Sequence, residues 1–179
     1  MSKLAAELTR AVEDLLRSNN PVEADALIPL AERIAAGFNV RRDEVAILLL
    51  DPRRRVLCFL LPEKLRNIGT IPMTSTTALA VRTAREMRPE VNNNFAAVRH
   101  ASVFEAVPLH ENTVNEPIQK IMSAPIVAEG RVVGVVQISR KGRSPQAAGS
   151  DFTPKDLSEL KAVGAALGPC LKHFQGHPE

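Results

Sequence analysis

The sequence predicts an α+β domain, an antiparallel sheet with helices packed against it. Two observations carry this. Two pairs of short apolar runs, at 45–61 and 121–139, each bracket a tight turn and read as β-hairpins. Helical spacing appears at both ends of the chain and once between the hairpins, without the regular strand-helix alternation that a parallel sheet needs.

Residues 3–18 place Leu4, Leu8, Ala11, Val12 and Leu15 at helical spacing with charges between them, which predicts an amphipathic first helix ending at Ser18-Asn19. Asn20-Pro21-Val22-Glu23 then supplies an N-cap, a proline at the first helical position and a capping-box acid, opening a second helix that runs to about Gly37. Pro29 lies inside that stretch. A proline in a helix interior removes a hydrogen bond at a cost of roughly 3 kcal/mol, so a kink or two short helices is expected there.

The period changes at Glu44. Residues 45–50 and 56–61 are continuous apolar runs around Asp51-Pro52-Arg53-Arg54, the first hairpin. After Pro72, Thr74, Ser75 and Thr76 offer N-caps to a short helix over 78–87. Residues 121–127 and 132–139 form the second hairpin, turning at Glu129-Gly130. Residues 142–150 read as a polar, flexible connection. Thr153 as cap, Pro154 at the first position and Asp156 reaching back then start a long last helix, to about Phe174.

Composition narrows the function. At 179 residues the chain can bury a core without disulfides or metals, and 45% apolar with 24% charged residues is ordinary for a globular protein. The longest apolar runs are strand-sized, and Glu7, Arg10, Glu13 and Asp14 interrupt the first segment, so neither a membrane span nor an export signal is expected. Cys58 and Cys170 lie far apart in unrelated apolar segments, a pattern of buried reduced thiols that points to the cytoplasm. A net charge of +3 and a chain with six Phe and no Trp or Tyr argue against a nucleic-acid partner, since single-strand platforms stack bases on aromatic rings.

The stretch Ile121-Met122-Ser123-Ala124-Pro125-Ile126-Val127, then Glu129-Gly130-Arg131-Val132-Val133-Gly134-Val135-Val136-Gln137-Ile138, then Asp151-Phe152-Thr153-Pro154-Lys155-Asp156-Leu157 resembles the closing half of a GAF domain, a sensor fold related to PAS. The front half is compatible: a helix feeds a hairpin turning at Asp51-Pro52, and a capped helix precedes a variable segment. The resemblance spans about residues 22–174, and its last third carries the specific pattern. It implies a five- or six-stranded antiparallel sheet, N- and C-terminal helices packed on one face, and a pocket on the other face roofed by the middle loops. It implies no single ligand. The sequence lacks the asparagine-lysine-phenylalanine-aspartate-glutamate pattern of the cyclic-nucleotide binders, a middle-loop cysteine for bilin attachment, and the clustered cysteines of the free methionine sulfoxide reductases.

Residues 88–118 form the candidate ligand roof, a 31-residue segment of weak regularity that holds Asn92, Asn93, Asn94, Phe95, Arg99, His100, Phe104 and Glu105. The asparagines suit polar ligand edges, and Arg99 and His100 could pair with a carboxylate or phosphate, so an anionic small molecule is the expected ligand. The alternative is a solvated crossover. Neither a metal nor a catalytic constellation is expected: His100, Glu105, His110 and Glu111 match no ligand spacing, and P-loop, G-x-G-x-x-G and G-x-S-x-G patterns are absent. Arg53-Arg54-Arg55 at a hairpin tip reads as a solvated charge cluster.

Leu157, Leu160, Gly164, Leu167, Leu171 and Phe174 recur every three and four residues, a seam for helix-on-helix packing, and Leu4, Leu8 and Leu15 offer a matching stripe. Helices at the two ends commonly pair across a two-fold axis in the resembled family, so a homodimer through Leu4, Leu8, Leu15, Leu160, Gly164, Leu167 and Leu171 is expected; the alternative is packing on the chain's own sheet. The organisation expected is an amphipathic helix over 1–19, a GAF-like domain over 20–175 and a loose tail at 176–179. The function expected is a stand-alone, non-enzymatic sensory module that binds a small molecule and signals through its helices to a partner protein, with no cofactor identified. A ligand-free interaction domain is the first alternative, and a small thiol redox enzyme using Cys58 is the second, which would need an exposed low-pKa thiolate.

Overall fold

The computed structural model describes residues 2–18, 22–98, 105 and 116–174. Helix α1 spans Lys3–Ser18 and buries Leu8 and Val12 of the stripe its spacing predicts, together with Ala5, while Leu4, Ala11 and Leu15 are partly buried against the core. A 3₁₀ turn, Ala24–Leu27, leads into helix α2, Ile28–Phe38. The break falls just ahead of Pro29, which sits in the first turn of α2, where an N–H has no intrahelical partner to lose. The capping sequence expected at Asn20-Pro21 lies outside the described residues.

Strands β1 (Val45–Asp51) and β2 (Val56–Leu61) form the first hairpin. The Asp51 side chain closes its turn by accepting hydrogen bonds from the Arg53 and Arg54 N–H groups, which leaves the three arginine side chains exposed. Strand β3 (Thr70–Pro72) follows, then helix α3 (Leu79–Glu86) and strand β4 (Glu90–Asn92). None of the three candidate residues caps α3, whose N-cap is Ala78 without a side-chain bond; Ser75 instead closes the turn ahead of it, accepting from the N–H groups of Thr77 and Ala78. Strands β5 (Ile118–Ala128) and β6 (Arg131–Lys141) form the long second hairpin, and Glu129 and Gly130 both take positive φ in its turn. Helix α4 spans Pro154–Lys172 behind a complete capping box. Thr153 Oγ1 accepts from Asp156 N–H at 3.1 Å, and an Asp156 carboxylate oxygen accepts from Thr153 N–H at 2.8 Å. Pro169 does not stop it.

Among the described residues the strands form one six-stranded sheet in the order β3-β2-β1-β6-β5-β4, antiparallel at every pairing. Alternation along the strands gives two faces. Val45, Ile47, Leu49, Met122, Ala124, Ile126, Val136 and Ile138 meet α1, α2 and α4 in the main core. Leu48, Leu57, Phe59 and Val135 point the other way, to α3 and the Glu63–Leu65 turn. The terminal helices therefore share one face and α3 lies on the opposite one.

The residues expected at a dimer seam are used differently. Leu8, Leu160, Leu167 and Leu171 are buried in the chain's own core, with Leu4 and Leu15 packed against it. Gly164 and Gly168 lie directly over the Pro125 and Val127 carbonyls of β5, where a Cβ would not fit. The apolar stripe of α4 faces the sheet because that face needs covering, so the three-and-four spacing here reports intramolecular packing.

Candidate functional site

On the sheet face away from α1, α2 and α4, the space between α3, the segment after β2 and the start of β5 opens into a cleft. It has two lobes, of about 450 and 500 Å³, both open to solvent. Phe59, Glu105, Ile118, Ile121 and Gln137 line both, so Gln137 stands in the shared floor between apolar neighbours. One lobe holds the charged groups: Asp43, Glu44, Ser139 and Lys141 join Ala46, Pro62 and Leu65 there. The other is walled by Ile71, Ala78, Leu79, Ala80 and Phe95, and the exposed lining of both is mainly apolar.

The polar floor is held from beneath. Thr83 on α3 donates to Ser123 Oγ at 2.7 Å, and the Gln137 amide nitrogen donates to the same oxygen at 3.2 Å, which fixes the Gln137 amide. At the polar end Glu44, 7% exposed, ties the start of β1 to the end of β6: one carboxylate oxygen accepts from Arg41 N–H at 2.9 Å and the other from Lys141 N–H at 2.7 Å. Glu105 accepts from Ile118 N–H at 3.3 Å. Burial pushes the Lys141 amine below the usual lysine range, against the pull of Asp43, Glu44 and Glu105.

Of the residues singled out in the sequence, Phe95 and Glu105 line the cleft, while Asn92 and Phe95 line a second depression beside it with Thr76, Thr77, Leu79, Arg82 and Val98. Asn92 accepts from Asn94 N–H and so turns the chain after β4. Asn93 is committed elsewhere. Its amide donates to the Phe152 carbonyl at 3.0 Å and accepts from the Phe152 N–H at 2.8 Å, clasping the residue ahead of the α4 cap. Around that clasp the Arg140 guanidinium lies over the Phe152 ring at 4.7 Å and donates to the Phe38 carbonyl. Lys120, 5% exposed, donates to the Gly149 carbonyl and pairs with Asp151 at 2.8 Å. The connection over 142–150 is thereby pinned to the sheet rather than loose. Arg99, His100 and Phe104 lie outside the described residues, as do His110 and Glu111. Among the described residues no group of His, Cys, Asp and Glu could hold a metal ion.

Gln137, Ser139, Lys141, Phe59, Asp43 and Glu44 were not foreseen. A signal for three of them was present: along β6 the apolar run gives way to polar residues at 137, 139 and 141, one face of the strand, while Ile138 stays apolar on the other. Cys58, the thiol a redox enzyme would need, is 2% exposed, with burial raising its pKa against the pull of Arg54. Cys170 is buried in the helical core, its thiol pushed up to about 12. Both cysteines are free.

The family model for the GAF domain matches residues 24–171. Solved structures that resemble the chain include the GAF domain of an Acinetobacter phosphoenolpyruvate-protein phosphotransferase, with 19% identity, a TM-score of 0.64 and coverage of 97% of this chain and 96% of that one. The corresponding domain from Coxiella burnetii has 12% identity, a TM-score of 0.67 and 96% coverage of both chains. The free methionine-R-sulfoxide reductase of Neisseria meningitidis in complex with its substrate has 16% identity, a TM-score of 0.58 and coverage of 97% and 93%. At these identities the likeness is one of fold. No curated protein matches closely enough to count as a relative. Among the described residues no helix is long and apolar enough to cross a membrane.

Proposed function

Since the chain belongs to the GAF domain family, we propose that it is a sensory or regulatory module that binds a small molecule in the two-lobed cleft and passes occupancy to its terminal helices. The observation that carries the reading is the amphipathic lining. An apolar wall of Phe59, Ile121, Leu79 and Phe95 runs into a cluster of polar groups, Gln137, Ser139, Glu44 and Lys141, on the face where, among the described residues, α3 is the helix that packs. Concave apolar surface with a few convergent polar groups is the usual form of a small-molecule site.

The signalling half rests on the Asn93 clasp. Phe95 lines the cleft, and Asn93, two residues earlier, holds the backbone of Phe152 one residue before the α4 cap. A ligand that moves Phe95 has a short, hydrogen-bonded path to the helix at the centre of the bundle. Dimerisation belongs to this reading through the outer faces of α1 and α4, where Glu13, Asp14, Lys155 and Lys161 are exposed, since the inner seams are occupied within the chain.

A thiol-dependent reaction fits poorly, because burial holds both cysteines protonated. The test is binding of a metabolite library followed by thermal shift, with Gln137→Leu as the control. Compounds that stabilise the wild type and lose that effect in the variant support the reading; a library without effect on the wild type, or effects equal in both proteins, counts against it.

A further inference from the structure

The lobe lined by Asp43, Glu44 and Ser139 also holds a cation whose amine makes no close contact among the described residues, although three carboxylates act on it from farther away. Lys141 is the last residue of β6, shares the cleft-facing side of the strand with Gln137 and Ser139, and lines the cleft half-buried. No carboxylate among the described residues comes within 4.0 Å of its amine and no hydrogen bond from the amine is formed. The nearby acids have other partners: Glu44 accepts from two backbone N–H groups and approaches Arg41, Asp43 meets Arg41 at 3.5 Å, and Glu105 accepts from Ile118 N–H. They are near enough to influence the amine at longer range. A partly desolvated ammonium whose three donors meet no protein acceptor is satisfied by water or by a ligand atom in the cleft, and an anionic ligand atom does so with its charge as well.

We propose that Lys141 is the counter-ion for the carboxylate of a small monocarboxylic acid, whose apolar body lies along Phe59, Ile121, Leu79 and Phe95. This rests on the reading of the cleft as a ligand site. The choice of a monoanion follows from the surroundings: Asp43, Glu44 and Glu105 all lie at the amine's end of the cleft, and a phosphate dianion would meet their repulsion twice over, whereas one carboxylate adds a single negative charge opposite a single positive one. Gln137 and Ser139 lie on the same side of the strand and border the head, their own donors engaged by Ser123 Oγ at 3.2 Å and the Glu44 carbonyl at 3.4 Å. The apolar walls of the other lobe, Ile71, Leu79, Ala80 and Phe95, suit the body of a short aliphatic or aromatic acid.

The experiment is an NMR titration of the protein with hexanoate and phenylacetate, each beside its uncharged amide, the matching primary amine and inorganic phosphate. The side-chain amide of Gln137 and the Ile118 and Ile121 methyls report on the cleft. The expected result is a saturable shift with the carboxylates only, weakened by about tenfold or more in Lys141→Met and kept within a few-fold in Lys141→Arg. Because the Lys141 backbone N–H bond to Glu44 does not depend on the side chain, both variants should fold, and an unchanged spectrum away from the cleft verifies this. Saturable binding of the amine, the amide or phosphate at the cleft, or carboxylate binding unaffected by Lys141→Met, overturns the assignment of Lys141 while leaving the cleft reading intact. No saturable shift with any probe overturns both.

Discussion

Two side chains set opposing pH demands on the stability of the fold. Lys141 has its folded-state pKa pulled below 10.5 by burial, so in the window between that depressed value and 10.5 the unfolded chain holds more protons than the folded one, and Lys141 makes stability rise with pH. The groups facing it are Asp43, Glu44, Arg41 and Glu105. Replacing it by Met should therefore stabilise the protein at neutral pH, with the gain in Tm over wild type shrinking as pH approaches 10.5; a gain that does not depend on pH would mean the amine is not desolvated. Cys170 acts in the other direction. With its folded-state pKa raised from 9.0 to about 12, stability present below 9 is lost as pH rises through that window. Both thiols should resist alkylation in the native protein, with modification no faster than unfolding. Fast labelling of Cys58 at neutral pH would contradict its burial and reopen a redox role.

At the scale of elements, the joint between β4 and α4 is held by the Asn93 amide, and removing it leaves a Phe152 N–H and C=O half-buried without partners. Asn93→Ala should cost about 1–3 kcal/mol in denaturant unfolding and speed amide exchange over the first turn of α4 more than over its middle. A loss under about 0.5 kcal/mol would make the clasp ornamental. The close approach of α4 to β5 gives a second test: at Gly168 a Cβ would collide with the Val127 carbonyl, a backbone atom that cannot swing away, so Gly168→Ala should destabilise by about 1–3 kcal/mol despite the better helix propensity of alanine. What the sequence announced of these elements is what short-range chemistry decides. Thr153-Pro154-Lys155-Asp156 could be read as a helix start because every bond of that capping box is made within four residues. Strands β3 and β4 could not, since three residues each carry no alternation and owe their conformation to pairing with β2 and β5. Asn93 was marked as polar and unusual, but its partner lies 59 residues away, which spacing cannot reveal. The polar residues at 137, 139 and 141 were visible as an interruption on one face of β6, and were passed over because the same strand supplied the hairpin pattern.

For the whole molecule, the sheet works as a partition. One face is closed by α1, α2 and α4 around a continuous apolar core; on the other, among the described residues, α3 and the turn after β2 pack, and the cleft lies beside them. The seam on α4 looked like an interface because helices that cover a sheet and helices that cover each other show nearly the same periodicity, and only the backbone contacts of Gly164 and Gly168 with β5 separate the two. The central claim is that this exposed face binds a small molecule. The most direct measurement is chemical-shift mapping of the labelled protein against the small-molecule fraction of a cell extract. The account predicts saturable shifts clustered on Phe59, Phe95, Ile121, Gln137 and Lys141, with smaller ones at Phe152 and the start of α4. Shifts confined to the outer faces of α1 and α4, or none anywhere, would contradict it.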